Sequence, residues 1–396
     1  MGILTLARSI TVEPVVFLFM WSSFQQFPTN QALIYSKVCA IEFNNDTICD
    51  NLYAKQYKSQ DSLVQSEASK WIMYNNIAST VPSIFTVTFF LGPYGDKIGR
   101  KIPLILPIIG CLLFNVANLI NSHFMLAPMW WLLFGNVING LTGGYIAVMM
   151  AAYSYIGHIS SIEFRTFRVG VIESIIFLAG TLGVFISGAM LDNTSYDFVY
   201  CFIICLLLIA LIYSLLRLEN LKPEYGNNAK TPLTKTLFDS VYTMYGCIRR
   251  SRASHTRLRI ILLVAVLVIL QLCTTGESDI MYLFVKLPVF DWSTSTYGYF
   301  RGLENFTRGL AVLTILPLCT KKLQASDTTL ILAGLLSKLI GLIILAFAAT
   351  TWQMFLVPLV GVFQGFPSAA IRSTTSKMVN QNEQGNSFKI LYFNLK

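Results

Sequence analysis

Charge is what this chain has least of. Asp, Glu, Lys and Arg make up only 12% of its 396 residues, about half the share found in a water-soluble domain. Histidine is nearly absent. The three present, His123, His158 and His255, all fall between the apolar stretches, which leaves proton chemistry at membrane depth to carboxylates. No C-x-x-C pair occurs among the 8 cysteines, so the usual signature of a structural metal or a redox dithiol is missing. There is also no P-loop, no H-E-x-x-H helix and no G-x-S-x-G elbow in a fitting context. These absences argue against a membrane-embedded enzyme, and neither metal nor other cofactor is expected.

What abounds is apolar surface. At 54% hydrophobic residues and a mean hydropathy of +0.59, the chain needs a lipid bilayer around it. A helix crosses the bilayer core with about 20 apolar residues. Ten stretches qualify, at 13–35, 70–92, 102–121, 126–156, 168–190, 198–217, 259–288, 296–318, 328–348 and 351–372. The first is long and interrupted by Glu13 and Pro14, so it is expected to remain as span one rather than be cleaved as a leader.

The net charge of +9 could be taken for nucleic-acid binding, but its distribution excludes that. With the N-terminus inside, twenty lysines and arginines flank the inner ends of the stretches, and only Lys37, Lys55, Lys58 and Lys70 fall in outer loops. Basic charge biased to one side orients a membrane protein. Six stretches precede a polar, basic segment carrying Pro223 and Pro232, and four follow it. The predicted organisation is an N-terminal six-helix bundle at 1–217, a cytoplasmic linker at 218–257 and an incomplete C-terminal bundle at 258–396. Basic loops recur six spans apart, as parallel repeats produce.

Two features carry a family resemblance. The run from Gly92 through Asp96, Lys97, Gly99, Arg100 and Lys101 fits the pattern G-x-x-x-D-[RK]-x-G-[RK]-[RK] between spans two and three. It resembles the signature loop of the major facilitator superfamily. Its glycines permit a tight interhelical turn, its basic residues hold the loop inside, and Asp96 is placed to meet a helix N-terminus or an arginine. Further residues resemble solute carrier family 46, the group that contains the proton-coupled folate transporter. They are Val12-Glu13-Pro14, the Asp96–Pro103 run, Tyr153 to Ile156, Arg165 to Arg168 with Glu173, Ile371-Arg372 and Glu383-Gln384-Gly385.

The resemblance implies an all-α membrane protein with the major facilitator fold, of two helical bundles. Against the superfamily's twelve spans it looks C-terminally truncated, with about ten full spans and the start of an eleventh at Ser387. It further implies proton-driven symport of a hydrophilic organic anion, folate-like or another small anionic metabolite, at the plasma membrane or an endolysosomal membrane. A non-transporting, truncated or receptor-like form is the alternative.

Ionisable groups at membrane depth cost roughly 2.5–3.5 kcal/mol each on insertion scales, so each is a candidate for function. By resemblance Glu173 in span five is the proton-coupling carboxylate; otherwise it is a structural acid near Arg168. Arg372, at the inner end of span ten, either engages substrate with its forked donors or anchors the helix at the interface. Arg301, Glu304 and Arg308 share one face of span eight, as a cationic substrate contact or as an internal ion-pair ladder. Glu277 and Asp279 follow Gly276 in span seven, where a broken helix lining water is expected; they serve the cavity or compensate Lys338 or Arg301. Asn30, Gln31 and the other amides of span one are expected to line a central cavity, because amides against lipid are unsatisfied; in span four, Asn136 and Asn139 fall among small residues that point first to helix packing, with cavity lining, and Asn139 as a substrate contact, the alternative. Gly140-x-x-x-Gly144 signals close helix packing. In the first outer loop, Cys39 and Cys49 are placed for a disulfide, and Asn45-Asp46-Thr47 is a glycosylation acceptor.

Overall fold

The computed structural model describes residues 11–50, 52, 57–159, 162–221, 256–287, 289–321, 324–368, 370–371 and 374, apart from the side chains of 46, 50, 58, 96–97, 157–158, 162–170, 173, 256–257, 260, 317 and 320–321. Every regular element among them is helical. Span one is Glu13–Phe43, followed by a short helix Asp46–Asp50. Span two, Lys58–Phe85, passes through a wide π-turn at Thr86–Leu91 into Gly92–Lys97. Span three is Ile102–His123, and span four comes in two pieces, Trp131–Leu141 and Gly144–Ile159. Spans five, six and seven are Ile162–Asn193, Tyr196–Arg217 and Thr256–Val285. Span eight, Thr294–Leu310, also contains a π-turn, Ala311–Ile315, before Leu316–Lys321. Span nine is Asp327–Ala346, and span ten is Thr351–Val360 continued by a 3-10 turn at Gly361–Gly365.

Among the described residues, seven helices are long and apolar enough to cross a membrane by length and composition. Spans one, eight and ten fall short of that measure. Span one is rich in amides, span eight holds the charged triplet, and span ten breaks into a short helix and a tight turn. Their polar content is tolerated because it faces protein and cavity rather than lipid.

Several expectations need correction. Lys37 is not in a loop: it lies inside span one, fully buried. Its ammonium donates to the Phe124 carbonyl at 2.7 Å and the Asn121 carbonyl at 3.4 Å, satisfying the open end of span three where a cation is favoured. Lys58 and Lys70 also belong to a helix, because span two starts with a polar turn well outside the apolar run. Gly92 does not make the hairpin turn; it continues the helix with φ −62°, and the chain reverses later, at Ile98–Lys101. There Lys101 Nζ caps span six by donating to the Leu215 carbonyl at 2.7 Å. The Asp96 side chain lies outside the described residues.

The expected break at Gly276 is likewise absent, since span seven runs unbroken from Thr256 to Val285. Thr274 and Ser278 return their hydroxyls to carbonyls one turn back, Leu270 at 2.8 Å and Thr274 at 2.9 Å, and one glycine costs a helix only about 1 kcal/mol. Instead span four breaks, at Gly143 (φ +94°) and Gly144 (φ +49°), a backbone that side chains with a Cβ rarely adopt. Of the pair Gly140-x-x-x-Gly144, only Gly140 packs as expected: a Cβ there would meet the Ser79 carbonyl oxygen of span two at 2.5 Å, whereas Gly144 lies past the break and faces only Asn139 of its own span.

Span one packs against spans five and six, span three against six and four, and span nine against ten. The most extensive seam joins span five to span eight. Along it Gly188 and Gly298 let the two backbones touch, while Gly302 and Gly309 make room for the rings of Phe185 and Phe177. At the outer end of this seam, Ser295 donates its amide to Asp192 Oδ2 at 2.9 Å and its hydroxyl to the Gly188 carbonyl at 3.1 Å.

Cys39 and Cys49 form a disulfide with Cα atoms 5.8 Å apart, closing the chain on the outer end of span one. Asn44 ends that helix in the left-handed region at φ 44°, a conformation asparagine accepts more readily than most residues. The next residue, Asn45, is exposed, and Thr47 donates both its amide (3.0 Å) and its hydroxyl (2.6 Å) to Asn45 Oδ1. If this asparagine carries a glycan, Asn45→Gln will increase electrophoretic mobility to that of glycosidase-treated protein. Unchanged mobility would remove the site.

Candidate functional site

A cavity of about 540 Å³ lies at the centre of the helices, within the range of sites that hold small organic ligands. Span one contributes Ser23, Gln26, Asn30 and Gln31, span two Asn75 and Asn76, and span four Asn136, Asn139 and Tyr145. From the other side come Gln271, Ser278 and Asp279 of span seven, Tyr297, Arg301, Asn305 and Arg308 of span eight, Lys338 of span nine and Gln364 of span ten. One wall is therefore built of amides and the opposite wall of cations.

The cationic wall is organised by buried carboxylates. Glu304 accepts from Arg301 Nη1 at 2.5 Å, Arg308 Nη2 at 2.8 Å and Gln364 Nε2 at 3.2 Å. Spacings of three and four along span eight put both guanidiniums on the side of Glu304. Arg301 gives its second nitrogen to Ser278 Oγ at 2.9 Å, which ties span eight to span seven. Lys338 on span nine pairs with Glu277 on span seven. Neither glutamate is on the lining; each holds a cation that is. Asp279 does face the cavity, where its Oδ2 accepts from Asn76 Nδ2 at 2.7 Å. Its carbonyl accepts from Gln31 Nε2 at 3.2 Å, so spans one and two close onto span seven at this level.

The amide wall is knitted to itself. Asn136 Nδ2 donates to Asn75 Oδ1 at 2.5 Å, and Asn115 Nδ2 to Gln26 Oε1 at 2.7 Å. Not every amide of span one turns this way. Gln25 reaches the Met190 sulfur at 3.3 Å and Thr29 the Ser187 hydroxyl at 3.1 Å, both packing span one against span five. Several oxygens at the cavity, among them those of Asn30, Gln31 and Asn139, have no hydrogen-bond partner among the described residues, an arrangement that calls for a donor from elsewhere.

Of the residues singled out in the sequence, Arg301, Arg308, Asn30, Gln31 and Asn139 come together around one space. Arg372 lies outside the described residues. The side chain of Glu173 also lies outside them, although its position on span five is one turn before Phe177, which lines the cavity. Sequence reasoning missed Asn75, Asn76, Tyr297 and Gln364. The signal for the first two was available: adjacent amides inside an apolar stretch are costly in lipid for the reason that charges are.

Helices that bury their polar side chains around one central cavity, reached from both halves of the chain, define a membrane carrier. The Major Facilitator Superfamily pattern matches residues 71–394, and the chain belongs to that superfamily. It is a multi-pass membrane transporter and not an enzyme. Its matches include solute carrier family 46 proteins. It is 26% identical over 394 residues to the lysosomal proton-coupled steroid conjugate and bile acid symporter of Gallus gallus, covering 96% of this chain and 83% of the relative. To the proton-coupled folate transporter of Rattus norvegicus it is 24% identical, covering 95% and 80%. Among solved structures, the human organic anion transporter MFSD10 superposes with a TM-score of 0.64 at 13% identity, covering 97% of this chain and 89% of that one. A POT peptide transporter in complex with sulfate gives 0.63 at 12% identity, covering 97% and 86%.

Proposed function

We propose that this protein moves a small organic anion across its membrane together with protons, by alternating access of two bundles at 1–217 and 258–396 joined by the linker 218–257. The observation that carries this proposal is the cavity itself, with Arg301, Arg308 and Lys338 on one wall and the amides of Asn30, Gln31 and Asn139 on the other. Guanidinium forks recognise carboxylate, sulfate and phosphate oxygens in pairs of hydrogen bonds, while the unpartnered amide oxygens accept hydrogen bonds from N–H or O–H groups at the far end of the solute. Both curated relatives are proton-coupled by name, which supports symport and an acidic compartment, either the endolysosome or the outer face of the plasma membrane. In this mechanism Glu173 is the proton-coupling carboxylate and Arg372 meets the solute at the inner mouth. Glu304 and Glu277 hold the cations in place.

One proton moving down one pH unit supplies about 1.4 kcal/mol, enough for roughly tenfold accumulation of a co-transported solute. The test is uptake of labelled organic anions, a folate and a steroid sulfate among them, by cells expressing this chain at acidic and neutral pH. Acid-stimulated uptake is expected, and Glu173→Gln should abolish the acid stimulation at unchanged surface abundance. Uptake that ignores pH in the parent protein would end the symport proposal.

A further inference from the structure

Spans two and eight, six apart in the chain, share an irregularity that solute contact does not account for. Each passes through one wide π-turn. At its end the Gly92 amide reaches back five residues to the Val87 carbonyl, and the Leu316 amide five residues to the Ala311 carbonyl. In both spans a proline stands second after the turn, Pro93 and Pro317. Proline has no N–H, so one carbonyl within each π-turn loses its usual donor. In both spans a hydroxyl residue stands ten positions before that proline, Ser83 and Thr307. Ser83 Oγ donates to the Gly143 carbonyl of span four at 2.6 Å. Thr307 Oγ1 donates to the Pro358 carbonyl of span ten at 3.3 Å, a bond shared with the Leu303 and Glu304 carbonyls of its own helix.

The acceptors lie on spans four and ten, again six apart, and both spans are broken there. Span four turns through Gly143 and Gly144 at positive φ, and span ten leaves its α-helix at Val360 for the 3-10 turn Gly361–Gly365. In each half the π-turn is pressed against the break. A Cβ at Gly143 would lie 2.8 Å from Leu91 Cδ1 and 3.3 Å from Val87 Cγ2, and one at Gly365 would lie 2.9 Å from Val312 Cγ2. Ser337 of span nine spans the tight turn, donating to the Val360 carbonyl at 2.7 Å and accepting from the Phe363 amide at 3.3 Å. Cavity residues stand beside these breaks: Asn139 and Tyr145 on span four, Arg308 on span eight and Gln364 on span ten. Neither Ser83 nor Thr307 is on the lining.

Helices bend where their hydrogen-bond ladder is interrupted, and π-turns and prolines are such places. Here two interrupted helices meet, and one side-chain hydroxyl fastens them. We infer that Ser83 and Thr307 are positioning residues, a matched pair of pins. One makes the basic ends of spans two and four swing as a unit when solute occupies the cavity, and the other does so for spans eight and ten. The inference rests on the carrier function proposed above. Solute against Asn139 or Tyr145 pushes on span four at its break, and solute against Arg308 or Gln364 pushes on spans eight and ten at theirs. The pin passes that displacement to the partner helix. Without it, solute still finds every side chain of the cavity, but the paired helices no longer move together.

The experiment measures maximal uptake and half-saturating concentration for a labelled folate and a labelled steroid sulfate, in cells expressing the full chain, with uptake normalised to surface abundance. Ser83→Ala and Thr307→Val each remove a hydroxyl with little change in volume. Each should lower maximal uptake about three- to tenfold, the factor that one interhelical hydrogen bond in a membrane is worth. The half-saturating concentration should stay parent-like, because the cavity lining is untouched. Thr307→Ser, which keeps the hydroxyl, should transport like the parent. A hydroxyl that only braced the fold would show as lost abundance and a lower melting temperature in detergent, not as slower turnover per molecule at the surface. Parent-like maximal uptake in both hydroxyl-free variants overturns the pins. So does a defect that falls on half-saturation or on abundance alone, or a Thr307→Ser variant as slow as Thr307→Val. Absence of uptake of both probes in the parent protein overturns the carrier function and the pins with it, a result distinct from any defect confined to the variants.

Discussion

Replacing Glu304 by alanine is expected to cost the protein its folded state before it alters selectivity. Glu304 is 6% exposed and is the shared acceptor of Arg301, Arg308 and Gln364. Without it, two guanidiniums on one helical face repel each other where water screens them poorly. Breaking a single buried ion pair by removing one partner costs about 3–5 kcal/mol, and here one deletion breaks two. Against a total stability of about 5–15 kcal/mol, the variant should melt far below the parent and largely fail to reach its membrane. Glu304→Gln, which keeps one acceptor oxygen, should fall between the two. Because a buried charged group can be replaced as a whole by apolar residues at little cost, the triple change Arg301→Met, Glu304→Met, Arg308→Met should regain stability and still transport no anion. Thermal unfolding in detergent beside an uptake assay separates these outcomes. A parent-like melting temperature for Glu304→Ala would show that the triad is not the brace its geometry describes.

The second large effect is steric. Changing Gly298 to leucine should stop transport through a fault in the seam between spans five and eight, without altering any charge. A Cβ at Gly298 would lie 2.8 Å from the Val184 carbonyl oxygen and 3.2 Å from the Gly188 Cα. From the other side, a Cβ at Gly188 would meet the Thr294 carbonyl oxygen at 2.7 Å. The obstacles are backbone atoms, which cannot rotate aside as a side-chain tip does. Overpacking typically costs 1–3 kcal/mol, and the cheapest relief is to part the helices near the bonds from Ser295 to Asp192 and Gly188. If closing this seam is one half of the transport cycle, Gly298→Leu will reach the membrane at reduced but measurable abundance with uptake near background, and Gly298→Ala will be milder. Normal uptake by the leucine variant would mean that the seam does not need to close.

Much of this was legible along the chain, for reasons that differ residue by residue. Spans three, six and nine are long, predominantly apolar runs, span nine interrupted by Ser337-Lys338, and their existence follows from composition. Lys338 with Glu277, and Arg301 with Glu304 and Arg308, were visible as costs, because charge at membrane depth needs a partner; spacing on one helix supplied the second set. The pairing between spans seven and nine required the tertiary structure to choose among acids. Gly276 and Gly143 show where local reasoning failed. Both sit beside polar residues, but the hydroxyls near Gly276 bond back to their own helix, whereas span four at Gly143 turns through a positive φ. The doubled glycine Gly143-Gly144 was the local signal that the single Gly276 lacks. Lys37 misled because a basic residue near a span end counts as outer-loop charge, while the open carbonyls of span three draw it inward.

Sequence alone determined that this protein lives in a bilayer and which side chains need company. It did so because the price of polarity in hydrocarbon is set by residue type and run length, not by neighbours. The tertiary structure alone decided that amides from spans one, two and four face cations from spans eight and nine across one space, that Glu304 and Glu277 stand behind the wall rather than on it, and that spans five and eight touch at their backbones. Those facts depend on distances between segments far apart in the chain, and such distances are fixed only when the helices pack.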